Sequence, residues 1–430
     1  MSERLPVALR AYRTGLSLLE PVALGFLLWR RAKGKEDPAR WTERRGRPSR
    51  ARPDGPLAWL HGASIGETLS LLPIVERMTR RGLHVLVTSG TRTAAELLGR
   101  RLPPGAFHQF MPLDAPAYVE RFLDHWRPDL VLFAESELWP VTILDLGQRR
   151  VPLVLVNGRM SERSYQGWTR WPAVIAPLLR RFALCLAQSR PDAERLERLG
   201  APRVVVAGNL KFDASPPPAD PRLLAHLTGL VAGRPVWIAA STHPGEEEVA
   251  VAAHLALAER LPGLLTIVAP RHPGRGPEIA DAAEAHGLIV AVRSEGALPE
   301  RDVDLYVADT VGELGLFFRL TQLVFMGGSL VPHGGQNPIE PVKLGAAILH
   351  GPHVHNFTDV YAALDESGGA FTVEEGDLLA PVLGDLLADP GLTREMARAA
   401  AAVIAAEGGA VERTLQSIEP FIAQLKLERL

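Results

Sequence analysis

Short runs of Leu, Val and Ile recur along this chain, each followed by residues with helical spacing, and that alternation restricts the fold more than any other feature. In the first half the apolar runs fall at 57–61, 84–89, 130–134, 152–157, 184–187 and 204–207. Helical patterns lie between and after them at 68–81, 93–101, 115–126, 139–149 and 191–199. Parallel strands need a crossover of about a dozen residues, which a helix supplies. Repeated strand–helix units therefore predict a mostly parallel sheet covered on both faces.

The alternation stops at Phe212-Asp213-Ala214-Ser215-Pro216-Pro217-Pro218-Ala219-Asp220-Pro221, which has too many prolines for helix or sheet. It resumes with strands expected at 236–240, 265–269, 289–292, 305–307, 323–326 and 347–350, and closes with Ala-rich helices. A chain of 430 residues exceeds what one ordinary core serves. The expectation is an α/β protein of two Rossmann-like domains facing a cleft, the glycosyltransferase B architecture. Its boundaries are expected at 1–52 for a basic segment, 53–212 for the first domain, 213–221 for a linker and 222–430 for a second domain that includes the terminal helix.

The net charge of −2 conceals a basic start, because residues 1–52 hold 13 Lys/Arg against 5 Asp/Glu. Within that segment Thr14 to Trp29 is apolar apart from Glu20, and Arg30-Arg31-Ala32-Lys33-Gly34-Lys35 follows. Crossing a bilayer takes about 20 apolar residues, and Arg10, Arg13, Glu20 and Pro21 interrupt this stretch. A helix lying in one leaflet, with the basic run on anionic headgroups, fits better. No small-residue cleavage site follows Trp29, so monotopic attachment at the cytoplasmic side is expected rather than export, with an ordinary amphipathic helix packed on the domain as the alternative. The single cysteine, Cys185, sits in an apolar run and excludes a disulfide framework.

Chemistry concentrates where strands end. In Trp59-Leu60-His61-Gly62-Ala63-Ser64-Ile65-Gly66-Glu67-Thr68, a strand breaks at glycine and restarts as a helix with a carboxylate in its first turn. Ser64 and Glu67 have the spacing of a capping box. Gly66 costs about 1 kcal/mol of helix propensity and bares the first turn beside that carboxylate. Glu67 is therefore a candidate general base, its ionised form favoured by the helix N-terminus. Glu135 and Glu137 end another apolar strand; helix capping is the alternative for both. Lys211 offers a cation beside the linker.

The second half carries a phosphate-and-ribose set: Arg271 after the run 265–269, Thr310-Val311-Gly312-Glu313 at a helix start, and Gly334-Gly335-Gln336-Asn337-Pro338-Ile339-Glu340. There Asn337 reads as N-cap and Glu340 as N3. Glycines admit a ligand to the backbone, and a first-turn glutamate can accept from ribose hydroxyls. No Walker A and no Gly-x-Gly-x-x-Gly after a first strand is present, which speaks against ATPase and dinucleotide readings. The histidines, including His350, His353 and His355, show no metal spacing.

These residues, together with Thr88–Thr91, Glu135–Pro140, Asn209–Asp213, Ser241–Glu247, Pro270–Pro273 and Gly327–Glu340, make the sequence resemble the 3-deoxy-D-manno-octulosonic acid (Kdo) transferases of lipid A biosynthesis. The resemblance implies CMP-Kdo as donor, a lipid IVA-type acceptor at the inner membrane, and neither cofactor nor active-site metal nor nucleic-acid partner. It matches Glu67 to the proton acceptor, and Glu135 and Lys211 to transition-state stabilisation. Pro270, Arg271, Val311, Gly312, Glu313, Asn337, Pro338, Ile339 and Glu340 match the CMP contacts. Two positions depart from the family pattern: Gln336 stands where His is common, and Val141 where Asn is. A sugar-nucleotide epimerase of the same architecture is the alternative.

Overall fold

The computed structural model describes residues 5–427, which divide into two compact units, 5–214 with 407–427, and Ser215–Ala406. The first is built on β1 (Leu57–His61), β2 (His84–Ser89), β3 (Ala106–Phe110), β4 (Leu130–Ala134), β5 (Leu153–Gly158), β6 (Leu184–Ala187) and β7 (Val204–Val206). All its pairings are parallel, in the order β3-β2-β1-β4-β5-β6-β7. Successive residues of β1 serve opposite faces, as the two-residue period of a strand requires. Leu57 and Trp59 join Phe122, Trp126 and Phe133 in one core. Ala58 and Leu60 join Leu71, Ile74, Val75 and Met78 in the other.

The second unit contains β8 (Val236–Thr242), β9 (Leu265–Pro270), β10 (Val290–Val292), β11 (Leu305–Val307), β12 (Leu323–Met326), β13 (Ala347–His350) and β14 (Ala370–Thr372). The order is β10-β11-β9-β8-β12-β13-β14, again all parallel. Both sheets change side at their first strand, β4 pairing with β1 on the side away from β2 and β12 with β8 on the side away from β9; in the second sheet β11 also inserts between β9 and β10. Such switch points leave a crevice at the strands' C-terminal ends, where open α/β sheets take ligands.

Three expectations need correction. The terminal helix, Ala410–Leu427, belongs to the first unit rather than the second. Ala410, Leu415, Ile418 and Ile422 complete the core on one face of the first sheet. Asp213 fixes its start by accepting from Gly409 N (2.7 Å) and Val411 N (2.6 Å). Tertiary packing decides this, and no local pattern carries it.

The stretch expected as a linker, 213–221, belongs from Ser215 onward to the second unit. Arg319 donates to Pro217 O (2.7 Å), and a side chain at Gly315 would lie 2.4 Å from Pro218 O.

The basic start is, finally, partly structural. Its apolar stretch forms two helices, Val7–Leu18 and Glu20–Ala32, broken at Leu19. Leu9 is buried against the first core with Leu5 and Leu16 beside it, and Arg13 pairs with Asp145 (2.5 Å). Arg30, Arg40, Arg44 and Arg52 bond to protein groups as well. Among the described residues no helix is long and apolar enough to cross a membrane.

Candidate active site

Glu67 sits at the C-terminal end of β1, in the first turn of the helix Ile65–Arg80. Ser64 is the N-cap and accepts from Glu67 N (3.3 Å), while its hydroxyl donates to Glu67 Oε1 (2.7 Å). The other carboxylate oxygen reaches one residue beyond the usual capping-box partner, to Ala63 N (2.8 Å). Both oxygens are thus held. A Cβ at Gly66 would meet nothing within 4 Å, so space lies open beside this carboxylate. Contrary to the helix-dipole expectation, the carboxyl is pushed above its ordinary value, chiefly by burial and then by the charge of Glu135. A carboxylate made more basic in this way is better matched to taking a proton near neutral pH.

Glu135 ends β4 on the other side of the switch point, with a backbone φ of 56°. Its Oε1 lies 2.6 Å from Lys211 Nζ, and both side chains are largely buried. Lys211 belongs to a short 3₁₀ turn, Leu210–Phe212. That turn is fixed by Asn209, whose side chain accepts from Lys211 N (3.0 Å), and by Asn157, whose Oδ1 accepts from Leu210 N (2.9 Å). Asn157 takes a φ of 53° at the end of β5, a conformation Asn tolerates better than most residues. The sequence offered no signal for Asn157 beyond its place at a strand end.

Helix capping does not occupy Glu135 or Glu137. Asp114, from the loop after β3, takes Val141 N (2.9 Å) and Thr142 N (2.9 Å) at the start of the helix Pro140–Gln148. Glu137 instead accepts from Trp139 Nε1 (2.8 Å) and lies 3.5 Å from His61 Nε2. His61 is buried, with Nδ1 2.9 Å from Thr88 Oγ1. The departing residue Val141 is fully buried in the first core.

In the second unit, Pro270 ends β9 buried and Arg271 stands exposed after it. Arg271 N donates to Thr242 O (3.0 Å), which ties the ends of β8 and β9 together. Val311 and Gly312 are exposed in the loop after β11, Gly312 with a φ of 86°. Glu313 is the N-cap of a four-residue helix, Leu314–Phe317, and not its N3 residue. Arg293 holds it bidentately (3.0 and 2.9 Å) and Thr310 donates to it; these bonds draw its carboxyl below the ordinary range. Arg293 was missed because it follows a three-residue strand with no motif around it.

The helix Ile339–Val342 likewise starts one residue later than expected, with Pro338 as N-cap. Asn337 Oδ1 still accepts from Ile339 N (3.1 Å), and its amide lies 3.5 Å from Glu340 Oε1. Gln336 faces His243, nitrogen to nitrogen at 3.3 Å. The glycine loop after β12 is held by Glu246, which is 1 % exposed. Its carboxylate accepts from His243 N (2.9 Å), Gly328 N (2.6 Å), Ser329 N (2.9 Å) and Leu330 N (3.0 Å). His350 pairs with Asp365 (3.0 Å). Among the described residues no group of three or more His, Cys, Asp or Glu is arranged to hold a metal ion.

The family described as 3-deoxy-D-manno-octulosonic-acid transferase (kdotransferase) matches residues 39–214. The 3-deoxy-D-manno-octulosonic acid transferase of Haemophilus influenzae is 31% identical over 421 residues, 96% of this chain and 98% of that one. Its counterpart in Bordetella pertussis is 34% identical over 431 residues, covering 96% and 99%. Among solved structures, UDP-GlcNAc 2-epimerase from Neisseria meningitidis bound to UDP-GlcNAc gives a TM-score of 0.59 at 14% identity, over 85% of this chain and 99% of that one. That likeness speaks to fold alone. Sequence identity across almost the whole length decides the family: the chain belongs to the Kdo transferases and is a glycosyltransferase.

Proposed function

We propose that the chain moves Kdo from CMP-Kdo to the primary hydroxyl of a lipid IVA-type acceptor with inversion at the anomeric carbon. The observation that carries this reading is that Glu67, on one side of the first sheet's switch point, feels the charge of Glu135, which is ion-paired to Lys211 on the other side. Glu67 takes the proton of the acceptor hydroxyl as that oxygen bonds to the anomeric carbon. The bond from that carbon to the CMP phosphate breaks, and its electron pair leaves with the phosphate. Lys211 supplies positive charge for the donor's anionic groups, and Glu135 orients Lys211.

Pro270, Arg271, Val311, Gly312, Glu313 and Asn337–Glu340 hold the nucleotide. The exposed cation of Arg271 faces phosphate, and Glu313 and Glu340 accept from hydroxyls. No metal or cofactor enters these steps. The epimerase alternative rests on shared fold, which the relatives' identity outweighs.

A docked orientation on the inner membrane, at its cytoplasmic face, supports access to a lipid acceptor. Val22, Phe26, Leu28 and Trp29 of the helix Glu20–Ala32 are exposed, and Arg31, Lys33 and Lys35 stand in water beside them. Half-exposed aromatic rings beside cations suit a headgroup boundary.

Mass spectrometry of lipid IVA incubated with CMP-Kdo and the full chain is the test. A mass gain of one or more Kdo units is expected; an unchanged lipid with a folded, CMP-binding protein overturns the reading. Phe26→Asp with Trp29→Asp is expected to cut transfer to vesicle-borne acceptor about 10-fold or more while CMP binding stays within twofold. Equal loss of both, read by vesicle flotation and CMP titration, refutes docking through this helix.

A further inference from the structure

The basic segment after the second helix reaches the proposed base through an unbroken set of bonds. Glu36 is 2 % exposed and Arg44 6 % exposed. Glu36 accepts from Arg30 Nε (2.5 Å), in the last turn of the helix Glu20–Ala32, and from Arg44 Nε (3.2 Å). Arg44 in turn donates to Met111 O (3.2 Å), just after β3, and to Gly90 O (2.5 Å), just after β2.

Gly90 N donates to Ala63 O (3.1 Å), and Ala63 N donates to Glu67 Oε2 (2.8 Å). A Cβ at Gly90 would stand 3.0 Å from Ala63 O, so the two loops meet backbone to backbone. A second leg runs alongside. Glu43 accepts from Arg40 (2.9 and 3.0 Å) and from Phe110 N (2.8 Å).

Burying two carboxylates and their arginines is a poor way to gain stability, since apolar residues of similar volume do as well or better. A guanidinium does what no apolar side chain can: from one rigid fork it donates to two carbonyls that follow different strands. We propose that Arg44, held by Glu36, is a positioning residue for Glu67. It fixes the Gly90 loop, which fixes Ala63, whose amide supports the ionised base. This rests on Glu67 being the base and goes beyond it by giving residues 36–44 a part in the reaction.

The groups that face Glu67 are the Ser64 hydroxyl, the Ala63 amide and the carboxylates of Glu135 and Glu137, with Lys211 on Glu135 and His61 beside Glu137. Of these, only the Ala63 amide depends on Arg44. Loss of a donor to the charged form raises a carboxyl further.

Arg44→Lys keeps the charge but not the fork. It is expected to lower kcat about 10-fold with KM for CMP-Kdo within twofold, and to move the acid limb of the kcat–pH profile up by about 0.5–1 unit. In Arg44→Ala, millimolar guanidinium is expected to restore part of kcat. A merely structural role would lower the active fraction without moving the limb.

Should Arg44→Ala fail to fold, Glu36→Gln gives the same readings more weakly. A folded Arg44→Lys with the parent's kcat and limb, alongside an inactive Glu67→Gln, overturns the positioning role alone. A fully active Glu67→Gln instead removes the reading beneath it.

Discussion

Glu67→Gln lowers kcat for Kdo transfer by about 10²–10⁴-fold, the usual loss when a placed general base is removed, while CMP binding stays within twofold. Gln keeps the shape and can still accept from the Ala63 amide, so the helix start survives and only proton transfer is lost. In the parent enzyme kcat climbs as pH rises through the raised carboxyl value, because only the ionised form accepts a proton. Stability has the opposite slope. A carboxyl that is higher in the folded chain than in the unfolded chain binds more protons when folded, so its contribution falls as pH rises from the ordinary carboxylate range through the raised value. Glu67→Gln removes that penalty and is expected to melt at the parent's temperature or above at neutral pH. Single-turnover kinetics with pre-bound CMP-Kdo, beside thermal melts, check both halves. A variant that keeps kcat reduces Glu67 to a helix cap.

The strands that carry the site were the most legible part of the chain. Ranges for β1, β2, β4, β6, β11, β12 and β13 match the expected runs to the residue, because a strand buried on both faces is a continuous apolar run bounded by glycine or charge. β3 was missed, since Ala106-Phe107-His108-Gln109-Phe110 sets two polar residues side by side in its middle, Gln109 buried and His108 half-buried. Burial and the cations Arg40 and Arg44 push His108 down to about 3, so it sits in this network as a neutral ring. Such a residue is explained only by partners distant in sequence.

Helix caps divide in the same way. Ser64 and Glu67 are local and were readable. At Pro140–Gln148 the cap comes from Asp114, 27 residues before Val141, and at Ala410–Leu427 from Asp213, 198 residues before Val411. Glu313 looked like a first-turn residue by spacing, yet its position is set by Arg293. The basic start shows the limit from the other side. By charge the segment 1–52 is basic throughout, whereas Arg30, Arg40, Arg44 and Arg52 bond to protein groups and Arg31, Lys33 and Lys35 stay exposed.

Removing the ion pair at the end of β4 gives the second large effect, and its two halves act on Glu67 with opposite sign. Lys211→Met is expected to cost about 10²–10³-fold in kcat, as for a lost transition-state charge contact, and Glu135→Gln a similar amount through a displaced lysine. The double variant is expected to be little worse than the weaker single one, because two groups joined at 2.6 Å work as a unit.

The pH profiles separate the two. Glu135 is one of the charges that raise Glu67, and the Lys211 ammonium, 2.6 Å from Glu135, carries the opposite charge. Lys211→Met exposes Glu67 to an uncompensated carboxylate, so the acid limb moves to higher pH. Glu135→Gln removes that carboxylate, so the limb moves lower. Residual turnover of each variant across pH 4.5–9 reads the two shifts. Limbs displaced in the same direction, or additive losses in the double variant, break the link between the ion pair and the base and leave Lys211 acting on the donor alone.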